Sequence, residues 1–426
     1  MSTRRIVIIG GGFGGVAAAR ALKGVDAEVL LIDRRNHHIF QPLLYQVATA
    51  VLAPSEIAAP LRQLAQRQAN LSVLMGEVGE VDLVGKNVRV FPPDLGSRRI
   101  AFDFLVVATG VRPTYFGHDE FAQYAPALKN LSDAESIRER ILSAYERAEQ
   151  SDDPVARVRS LTFVLVGAGP TGVELAASIA QMARVTLTSN FRSIDPAQTK
   201  IVLLDASLRV LPTFAESLSN KVARHLLELG VEVRTGVNVE GVDANGVTAG
   251  GVRIESDTVL WTAGVRASAL IKHLDVKTDR AGRALVDPFL NIEGHPDAFV
   301  IGDAASFIQG GRPLPGVAQV SIQQGKFVGR RIAQRLRGTV GNQQFRYRDR
   351  GNMAVVGKNF AVLERGNLRL SGFGTWLIWA LIHVMFLPQL QNRLRVQTQW
   401  VWSYVTGQRG SRLIRERASS DVPPIS

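Results

Sequence analysis

Glycines recur twice in this chain at a spacing that suits a backbone turn around a phosphate. Gly10, Gly12 and Gly15 lie in RRIVIIGGGFGGVAAARAL, and Gly167, Gly169 and Gly172 lie in LTFVLVGAGPTGVELAASIA. Each set follows an apolar run typical of a buried strand and precedes small apolar residues typical of a helix. In such a unit the first glycine permits a tight turn, the second lets backbone approach a pyrophosphate, and the third lets helix and strand pack closely. The N–H groups at the helix N-terminus then face the phosphates.

A carboxylate ends the next predicted strand after each glycine-rich turn. Asp33 ends AEVLLID and Asp205 ends TKIVLLD, and each can accept hydrogen bonds from an adenosine ribose. Because Asp205 follows Gly172 by more than the usual distance of about twenty residues, we expect a loop or helix extension between them. An acid here favours NAD(H) by repelling a 2′-phosphate, although Arg209 leaves some room for NADP(H). Two complete units favour two bound dinucleotides over a duplicated fold with one inactive site.

The composition excludes several classes of chemistry. The 426 residues are enough for two or three domains, and the absence of Cys excludes disulfides, thiolate metal sites and cysteine-pair redox relays. The seven His do not fall into metal-ligand spacings, so we expect no metal. A net charge of +12 suits anionic phosphates or an anionic membrane surface, whereas no nucleic-acid motif is present. The N-terminus imitates a signal peptide, but a strand and glycine turn explain it better, so we expect no export signal.

Two further apolar strands run into turns of small residues. These are FDFLVVATGVRP at residues 102–113 and AFVIGDAASF at residues 298–307. Together with the glycine-rich units they resemble the signatures of the two-dinucleotide flavoprotein superfamily related to disulfide reductases. The resemblance implies non-covalent FAD on the first unit and NADH on the second, with SDTVLWTAGVRAS (256–268) marking the return to the FAD domain. It also implies that Asp303 contacts the flavin's ribityl–phosphate region, and that further cofactor contacts come from Thr109, Gly110, Gly264 and Ala304.

Three segments point to one family within that superfamily. A chain without Cys must pass electrons from the flavin directly to an external acceptor, which also excludes the sulfide-oxidising relatives. Residues 36–62 (NHHIFQPLLYQVATAVLAPSEIAAPLR), 316–329 (GVAQVSIQQGKFVG) and 372–414 resemble the type II, non-proton-pumping NADH:quinone oxidoreductases. The second segment matches that family's A-Q-x-A-x-Q quinone-site motif at Ala318, Gln319 and Gln323, with Ser321 where the family usually has Ala.

Three side chains are the catalytic candidates. Gln319 and Gln323 lie four residues apart and share a helix face, and an amide can hydrogen-bond both a quinone carbonyl and the hydroxyl it becomes. Glu174 follows the last glycine of the second unit, in the expected first turn of its helix, where an acid suits the positive N-terminus. The resemblance implies a further role for Glu174, near the nicotinamide and flavin rings, in coupling hydride and proton movement. We interpret the His37–His38 pair as loop structure at the edge of the flavin domain.

The C-terminal segment suits a membrane surface. WLIWALIHVMFL (376–387) is too short to span a bilayer, which takes roughly 20 apolar residues. Four of the five tryptophans lie here, namely Trp376, Trp379, Trp400 and Trp402. Arg393, Arg395, Arg409, Arg412, Arg415 and Arg417 outnumber Glu416 and Asp421. Residues 394–405 have the mixed composition of an in-plane amphipathic helix. We therefore expect monotopic attachment to an anionic bilayer, at the cytoplasmic face of the cell membrane. A dimer interface or a buried core is the alternative, and a homodimer is compatible with attachment.

The expected fold is α/β, with two Rossmann-like dinucleotide-binding domains and a C-terminal helical membrane-attachment region. Residues 1–157 and 276–345 are predicted to form the FAD domain, 158–275 the inserted NADH domain and 346–426 the C-terminal region. The expected function is hydride transfer from NADH to FAD and then two-electron reduction of a membrane quinone, without proton pumping. Two alternatives remain open: a soluble NADH-dependent reductase of a ferredoxin- or rubredoxin-like protein, and a non-catalytic NADH sensor.

Overall fold

The computed structural model describes residues 3–339 and 341–415. Its helices of nine or more residues are α1 (Phe13–Ala21), α2 (Leu131–Gln150), α3 (Pro170–Gln181), α4 (Glu216–Glu228), α5 (Ala318–Leu336), α6 (Phe373–Phe386) and α7 (Leu390–Thr406). Shorter helical segments are Gln41–Leu43, Leu44–Ala48, Pro54–Ile57, Leu61–Ala65, Asp119–Gln123, Pro154–Ser160, Met182–Thr186, Pro196–Gln198, Ala269–Lys272 and Gly302–Ala304.

The chain divides into two compact units, each assembled from separate chain segments. The first takes the chain up to Ile39, together with Ala58–Pro113 and Val265–Arg350. The second takes Phe40–Ile57, Thr114–Gly264 and the chain from Gly351 onward.

A six-stranded sheet forms the centre of the first unit. Its strands lie in the order Asn291–Ile292, His295–Val300, Phe104–Val107, Arg5–Ile9, Glu28–Asp33 and Leu71–Met75. All neighbours are parallel except the first pair. Ile6 and Ile8 are buried in the core on one face of this sheet, and Val7 and Ile9 in the core on the other. A parallel sheet covered on both faces needs apolar residues at successive positions, which explains the unbroken apolar run at the N-terminus.

Smaller antiparallel and paired strands complete the first unit. A three-stranded sheet consists of Glu77–Asp82, Asn87–Phe91 and Arg98–Ala101. Two-stranded pairs are His37–Ile39 with Ala58–Pro60, Val111–Pro113 with Val265–Ala267, Ala284–Leu285 with Ala305–Ser306, and Ile308–Gln309 with Arg312–Pro313.

Helices α1 and α5 pack unusually closely against each other. A Cβ at Gly325 of α5 would lie 2.2 Å from the carbonyl oxygen of Gly14, and one at Gly329 would lie 2.7 Å from that of Ala18. Glycines four residues apart on α5 therefore form a groove that accepts the backbone of α1. This contact fixes α5, which carries Gln319 and Gln323, against the helix that follows the first glycine-rich turn.

The second unit contains a four-stranded parallel sheet in the order Val231–Thr235, Lys200–Asp205, Thr162–Val166 and Thr258–Trp261. Two antiparallel three-stranded sheets belong to the same unit. They consist of Val239–Asp243, Gly246–Ala249 and Val252–Glu255, and of Asn352–Val355, Ala361–Arg365 and Leu368–Gly372.

The two C-terminal helices also pack within the second unit. Trp379 of α6 is 3% exposed and stacks on Trp400 of α7, with ring centroids 5.3 Å apart. The Asn392 side chain of α7 donates to the carbonyl oxygens of Ser55 and Glu56, each at 2.9 Å. Among the described residues, no helix has the length and apolarity needed to cross a bilayer.

The predicted α/β class, with two strand–turn–helix units and a helical C-terminus, is confirmed. The compact units nevertheless divide the chain at other places than the predicted domain limits. Residues 114–157, which we assigned to the FAD domain, lie in the second unit with most of the C-terminal region. The reason is that α2 packs against the short helix Leu44–Ala48, which belongs to the same unit. The three predicted limits remain predictions about the functional domains.

Candidate active site

The first glycine-rich turn has the geometry that its spacing predicts. Gly10 has φ +107°, and a Cβ there would lie 2.4 Å from the carbonyl oxygen of Ala108. A Cβ at Gly15 would lie 1.8 Å from the Gly10 oxygen, whereas one at Gly12 would meet nothing within 4 Å. The outer glycines are therefore required by the fold, and the middle one leaves an open surface at the N-terminus of α1. That open surface fits a pyrophosphate.

The second turn repeats this geometry almost unchanged. Gly167 has φ +108°, and a Cβ at Gly172 would lie 1.8 Å from the Gly167 oxygen. A Cβ at Gly169 would again meet nothing within 4 Å. Since α3 begins at Pro170, its N-terminal N–H groups face the same kind of open surface. Both units can therefore hold a dinucleotide, as two intact fingerprints predict.

The two strand-end acids brace their turns in the same way. Asp33 accepts hydrogen bonds from the N–H of Gly11 at 2.6 Å and of Arg35 at 2.8 Å. Asp205 accepts from the N–H of Ala168 at 2.5 Å and of Ser207 at 2.6 Å. Each carboxylate thus lies beside a phosphate-binding turn, where a ribose hydroxyl can reach it.

Arg209 does not face Asp205 as a free cation. Its Nη2 donates to the carbonyl oxygens of Pro212 at 3.2 Å and Phe214 at 3.3 Å. A guanidinium held by the backbone of its own loop is poorly placed to receive a 2′-phosphate, which favours NADH over NADPH.

His38 contacts the first turn directly. Its Nδ1 lies 2.9 Å from the carbonyl oxygen of Gly11, and its ring meets that of Phe13 edge-on with centroids 5.1 Å apart. A carbonyl only accepts, so Nδ1 carries the proton, and burial lowers the pKa of the ring. The structural role that we predicted for the histidine pair therefore applies to His38, as a brace of the nucleotide turn rather than as part of a loop, since His37–Ile39 is a strand.

The turn that carries Asp303 and Ala304 is held by a residue that the motif did not single out. The Gly302 N–H donates to Oε1 of Gln324 at 2.6 Å, and Gln324 is 1% exposed. Ser321 lies on the same buried face of α5, and a Cβ at Gly302 would lie 2.9 Å from its Oγ. The spacing of Ser321, Gln324 and Gly325 along the inner face of the helix was the signal that could have identified Gln324. The serine that replaces the family's alanine faces this turn.

The two motif glutamines differ in their surroundings. Both amide atoms of Gln323 bond the backbone of Arg348, since Nε2 donates to its carbonyl oxygen and Oε1 accepts from its N–H, each at 3.0 Å. Gln319 is half-buried, and its side chain forms no hydrogen bond within residues 3–339 and 341–415. Of the predicted pair, Gln319 is therefore the amide that is available to a ligand.

The remaining residues predicted to contact a cofactor, Thr109, Gly110 and Gly264, lie in backbone turns. The Ser268 hydroxyl donates to Oγ1 of Thr109 at 2.7 Å, and the Ser268 N–H donates to the Gly110 oxygen at 3.1 Å. Thr109 and Gly110 belong to the first unit, as do the first glycine-rich turn, Asp303 and Gln319. In the second unit Gly264 has φ +67°, and a Cβ there would meet the ring of Phe116.

Glu174 lies in the second turn of α3, not in the first as predicted, because the helix begins at Pro170. The Val355 N–H approaches its Oε1 at 3.4 Å, and burial raises the pKa of the Glu174 carboxyl to about 8. The carboxyl is therefore mostly protonated at neutral pH, and it lies too far along the helix to act as an N-terminal partner for the dipole.

Two successive hydrogen bonds link α7 to Tyr45, a tyrosine whose pKa is affected by the charge of Glu174. Trp400 Nε1 donates to Oε1 of Gln46 at 2.7 Å, and Gln46 Nε2 donates to the Tyr45 hydroxyl at 2.8 Å. Burial raises the pKa of Tyr45, and the negative charge of Glu174 raises it further. No sequence pattern connects residues 45, 46 and 400, so sequence reasoning missed this cluster.

The C-terminal helices expose one apolar face. Its exposed side chains are Phe373, Leu377, Ile378, Leu381, Met385 and Phe386 on α6, and Leu390, Leu394, Val401, Trp402 and Val405 on α7. We call this set the exposed apolar face. A group of large exposed apolar side chains on two helices in contact with each other marks an interaction site.

Three of the residues predicted to face lipid do something else. Trp379 is buried in the stack described above, and Arg409 is 6% exposed. Arg415 pairs with Glu139 of α2, so its charge is neutralised locally. Glu416, Arg417 and Asp421 lie outside the described residues. Arg393 and Arg395 remain as the cations of α7.

Comparison with known proteins identifies the family of this chain. The pattern of the pyridine nucleotide-disulphide oxidoreductase family matches residues 4–325. The type II NADH:quinone oxidoreductase Ndh of Mycobacterium tuberculosis is 44% identical, and the match covers 97% of this chain and 90% of that protein. The mitochondrial internal alternative NAD(P)H-ubiquinone oxidoreductase A1 of Arabidopsis thaliana is 25% identical, over 96% of this chain and 86% of that protein.

A solved structure agrees on the fold. NDH2 from Plasmodium falciparum in complex with NADH superposes with a TM-score of 0.87 at 18% identity, over 96% of this chain and 99% of that chain. The resemblance inferred from the motifs is confirmed: the chain belongs to the pyridine nucleotide-disulphide oxidoreductase family and, within it, to the type II NADH:quinone oxidoreductases.

Proposed function

We propose that this protein is a membrane-attached flavoenzyme that oxidises NADH and reduces a membrane quinone without pumping protons. The reaction is NADH + H⁺ + quinone → NAD⁺ + quinol. The observation that carries the proposal is the 44% identity to a type II NADH:quinone oxidoreductase over 97% of the chain. The two open nucleotide turns, both intact, support it independently of that likeness.

FAD, when bound, supplies a carrier that takes a hydride from NADH and returns two electrons to the quinone. The open surface at Gly12 and the braced Asp33 suit its pyrophosphate and adenosine ribose. We assign the contacts to the rest of the cofactor to Thr109, Gly110, Asp303 and Ala304. His38 holds the first glycine-rich turn in place, and Gln324 holds the turn that carries Asp303 and Ala304.

NADH is assigned to the second unit, with Asp205 as the ribose-binding acid. Asp205 disfavours a 2′-phosphate, and the Nη2 of Arg209, the nearby cation, is already engaged by two backbone oxygens.

Gln319 is assigned to the quinone, because its amide is uncommitted and offers both a donor and an acceptor. Glu174 is assigned to the proton balance, since the reaction consumes one proton for each NADH. A carboxyl with a pKa of about 8 holds a proton at neutral pH and can release it without a large free-energy cost.

Membrane attachment is assigned to the exposed apolar face. Burial of even four such side chains in lipid contributes roughly 1.5–3 kcal/mol each, which is enough to hold the protein at a bilayer without a spanning helix. Arg393 and Arg395 add attraction to anionic headgroups at about 1 kcal/mol each when close to the surface. The cytoplasmic face of the cell membrane and a homodimer are part of the same proposal.

The test separates this function from its two alternatives. The purified yellow protein is mixed with NADH in a stopped-flow spectrometer, and the reduced flavin is then mixed with a quinone analogue or with an acidic iron–sulfur protein. We expect rapid reoxidation by the quinone analogue and slow reoxidation by the iron–sulfur protein. The opposite preference would establish the soluble reductase, and no turnover with any acceptor would leave the sensor.

A further inference from the structure

A cleft of about 510 Å³ lies within the second unit, between α2 and the chain that follows α7. Leu142, Leu187 and Phe191 line its apolar side, and Trp402 and Leu413 also border it. Clefts of this volume accommodate small organic ligands. Neither the nucleotide turns nor the assigned quinone residues form part of its lining.

Arg412 borders this cleft, and one of its guanidinium nitrogens has no hydrogen-bond partner among the described residues. Its Nε donates to the Arg409 carbonyl oxygen and its Nη2 to Oε1 of Gln408, each at 3.0 Å. Its Nη1 is buried and forms no hydrogen bond to any residue in the described ranges. The positive charge of the guanidinium lies at the edge of the cleft, so an anion in the cleft would be attracted to it.

A second guanidinium adds to the positive potential. Arg409 also lines the cleft, and its Nη1 and Nη2 donate to the carbonyl oxygens of Thr49 at 2.7 Å and Ser178 at 3.0 Å. Burial, together with a smaller effect of the Arg412 charge, lowers its pKa to about 10, so the two cations act on each other. The acid among the lining residues is Glu146, which is exposed. The cleft therefore favours an anion.

The amide groups beside Arg412 fit a phosphate. Because Oε1 of Gln408 already accepts from Arg412, the Nε2 of Gln408 remains to donate. The Asn190 amide lies on the same cleft. One guanidinium and two amides can donate to several oxygens of one phosphate group.

The apolar side of the cleft distinguishes a lipid from a free phosphate. Trp402 is 57% exposed and belongs to the exposed apolar face, and Leu413 is 75% exposed beside it. A phosphate alone would leave these side chains and the apolar lining in water. A phospholipid matches both sides of the cleft, since its phosphate suits Arg412 and its acyl chain suits Trp402 and Leu413.

We propose that this cleft binds one anionic phospholipid, with its phosphate on Arg412 and its acyl chain against Trp402 and Leu413. This site rests on the proposed membrane attachment, because a lipid enters from a bilayer surface. It differs from diffuse attraction to headgroups, since it holds one lipid per chain at a defined position.

The experiment uses the full-length flavoprotein, purified in a mild detergent and incubated with phosphatidylglycerol or phosphatidylcholine. Native mass spectrometry counts the lipids that remain bound. We expect one phosphatidylglycerol per chain for the wild type, and at least a roughly tenfold loss of affinity for Arg412→Gln, the size expected for a charge-assisted hydrogen bond. The matched control is Arg224→Gln, which removes the same charge from an exposed position of α4 and should retain the lipid.

Several outcomes would overturn the site. Equal retention of phosphatidylglycerol by Arg412→Gln and the wild type would do so, as would equal losses of phosphatidylglycerol in Arg224→Gln and Arg412→Gln. Displacement of the lipid by low concentrations of inorganic phosphate would identify a free phosphate as the ligand instead. A change of oligomeric state in Arg412→Gln, with no bound lipid in the wild type, would identify the cleft as a contact between two copies.

Two further measurements keep the test decisive. If Arg412→Gln loses flavin, Leu413→Ser at an exposed position tests the acyl contact, and unchanged lipid retention there would contradict the site. Co-sedimentation with phosphatidylcholine vesicles containing some phosphatidylglycerol tests the proposed function separately. Wild-type protein that sediments without any stoichiometric lipid refutes the cleft alone, and wild-type protein that does not sediment refutes membrane attachment.

Discussion

The fold changes the protonation state of Glu174, because burial keeps its carboxyl mostly protonated at neutral pH. Its pKa is about 8 in the folded chain, against an ordinary value of 4.5. Between these two pH values the folded protein binds a proton that the unfolded chain has released. Stability therefore falls as the pH rises from about 4.5 to about 8 and then levels off.

Glu174→Gln should remove this pH dependence, since an amide does not titrate. We expect the melting temperature of the variant, relative to the wild type, to increase between about pH 5 and about pH 9. Flavin fluorescence during heating measures it, without NADH or quinone. Melting curves that stay parallel over this range would contradict the raised pKa.

Gln319→Ala should slow flavin reoxidation by quinone about five- to tenfold, the loss expected for one neutral hydrogen bond. Flavin reduction by NADH should keep its rate, because the amide is assigned to the quinone alone. Stopped-flow measurement of each half-reaction provides the comparison, with Gln334→Ala at an exposed position of α5 as control. Equal slowing of both half-reactions would remove Gln319 from the quinone site.

Single residues were predictable where backbone geometry demands one residue type. Gly10 and Gly15 belong to this class, because any side chain there collides with backbone. Gln323 shows the limit: its spacing from Gln319 is visible in the sequence, but its use of both amide atoms on Arg348 depends on where a distant segment passes.

At the scale of elements, the contact between α1 and α5 rests on glycine. Gly325→Ala places a methyl group about 2.2 Å from the Gly14 oxygen, and backbone on both sides cannot move away cheaply. We expect a loss of about 1–3 kcal/mol of stability, the usual cost of overpacking, and weaker retention of flavin.

Thermal melting and the flavin content after gel filtration measure this effect. Gly374→Ala is the matched control, because it lies in exposed α6 with nothing within 4 Å of a new Cβ. Alanine should stabilise that helix slightly. If Gly325→Ala behaves like the control, the close approach of the two helices is not required.

Elements were predictable where a pattern repeats locally, and their partners were not. The two strand–turn–helix units and α6, with Pro388 just after it, follow from runs of neighbouring residues. The packing of Pro54–Ile57 against α7 joins residues more than 330 positions apart, as the bond from Asn392 to the Ser55 oxygen shows. No periodicity within one segment encodes such a contact.

At the scale of the whole molecule, the chain passes between its two compact units several times. The segment 36–62 illustrates why the sequence did not reveal this, since its ends belong to the first unit and residues 40–57 to the second. A family motif identifies such a segment as one stretch of sequence, whereas its packing divides it between the two units.

Membrane attachment is a property of the assembled surface, so its test must change that surface and leave the core intact. Removing residues 371–426 would also remove buried Trp379 and Arg409, and the protein could then leave the membrane because it unfolds. Leu381 and Met385 avoid this problem, since each is 60% exposed on α6. We expect the double variant Leu381→Glu and Met385→Glu to reduce vesicle binding at least tenfold, because two apolar side chains worth roughly 1.5–3 kcal/mol each become charged.

The control is Leu208→Glu, at a position that is 89% exposed in the nucleotide-binding part of the second unit. Co-sedimentation with vesicles, flavin content and turnover with a water-soluble quinone analogue are measured for each protein. The double variant should keep its flavin and its turnover with the soluble analogue, yet lose turnover with a long-chain quinone in vesicles, because the quinone tail confines that substrate to lipid. If Leu208→Glu is released from vesicles as fully as the double variant, vesicle binding depends on net charge. If the double variant stays fully bound to vesicles, the exposed apolar face is a binding site for a protein partner.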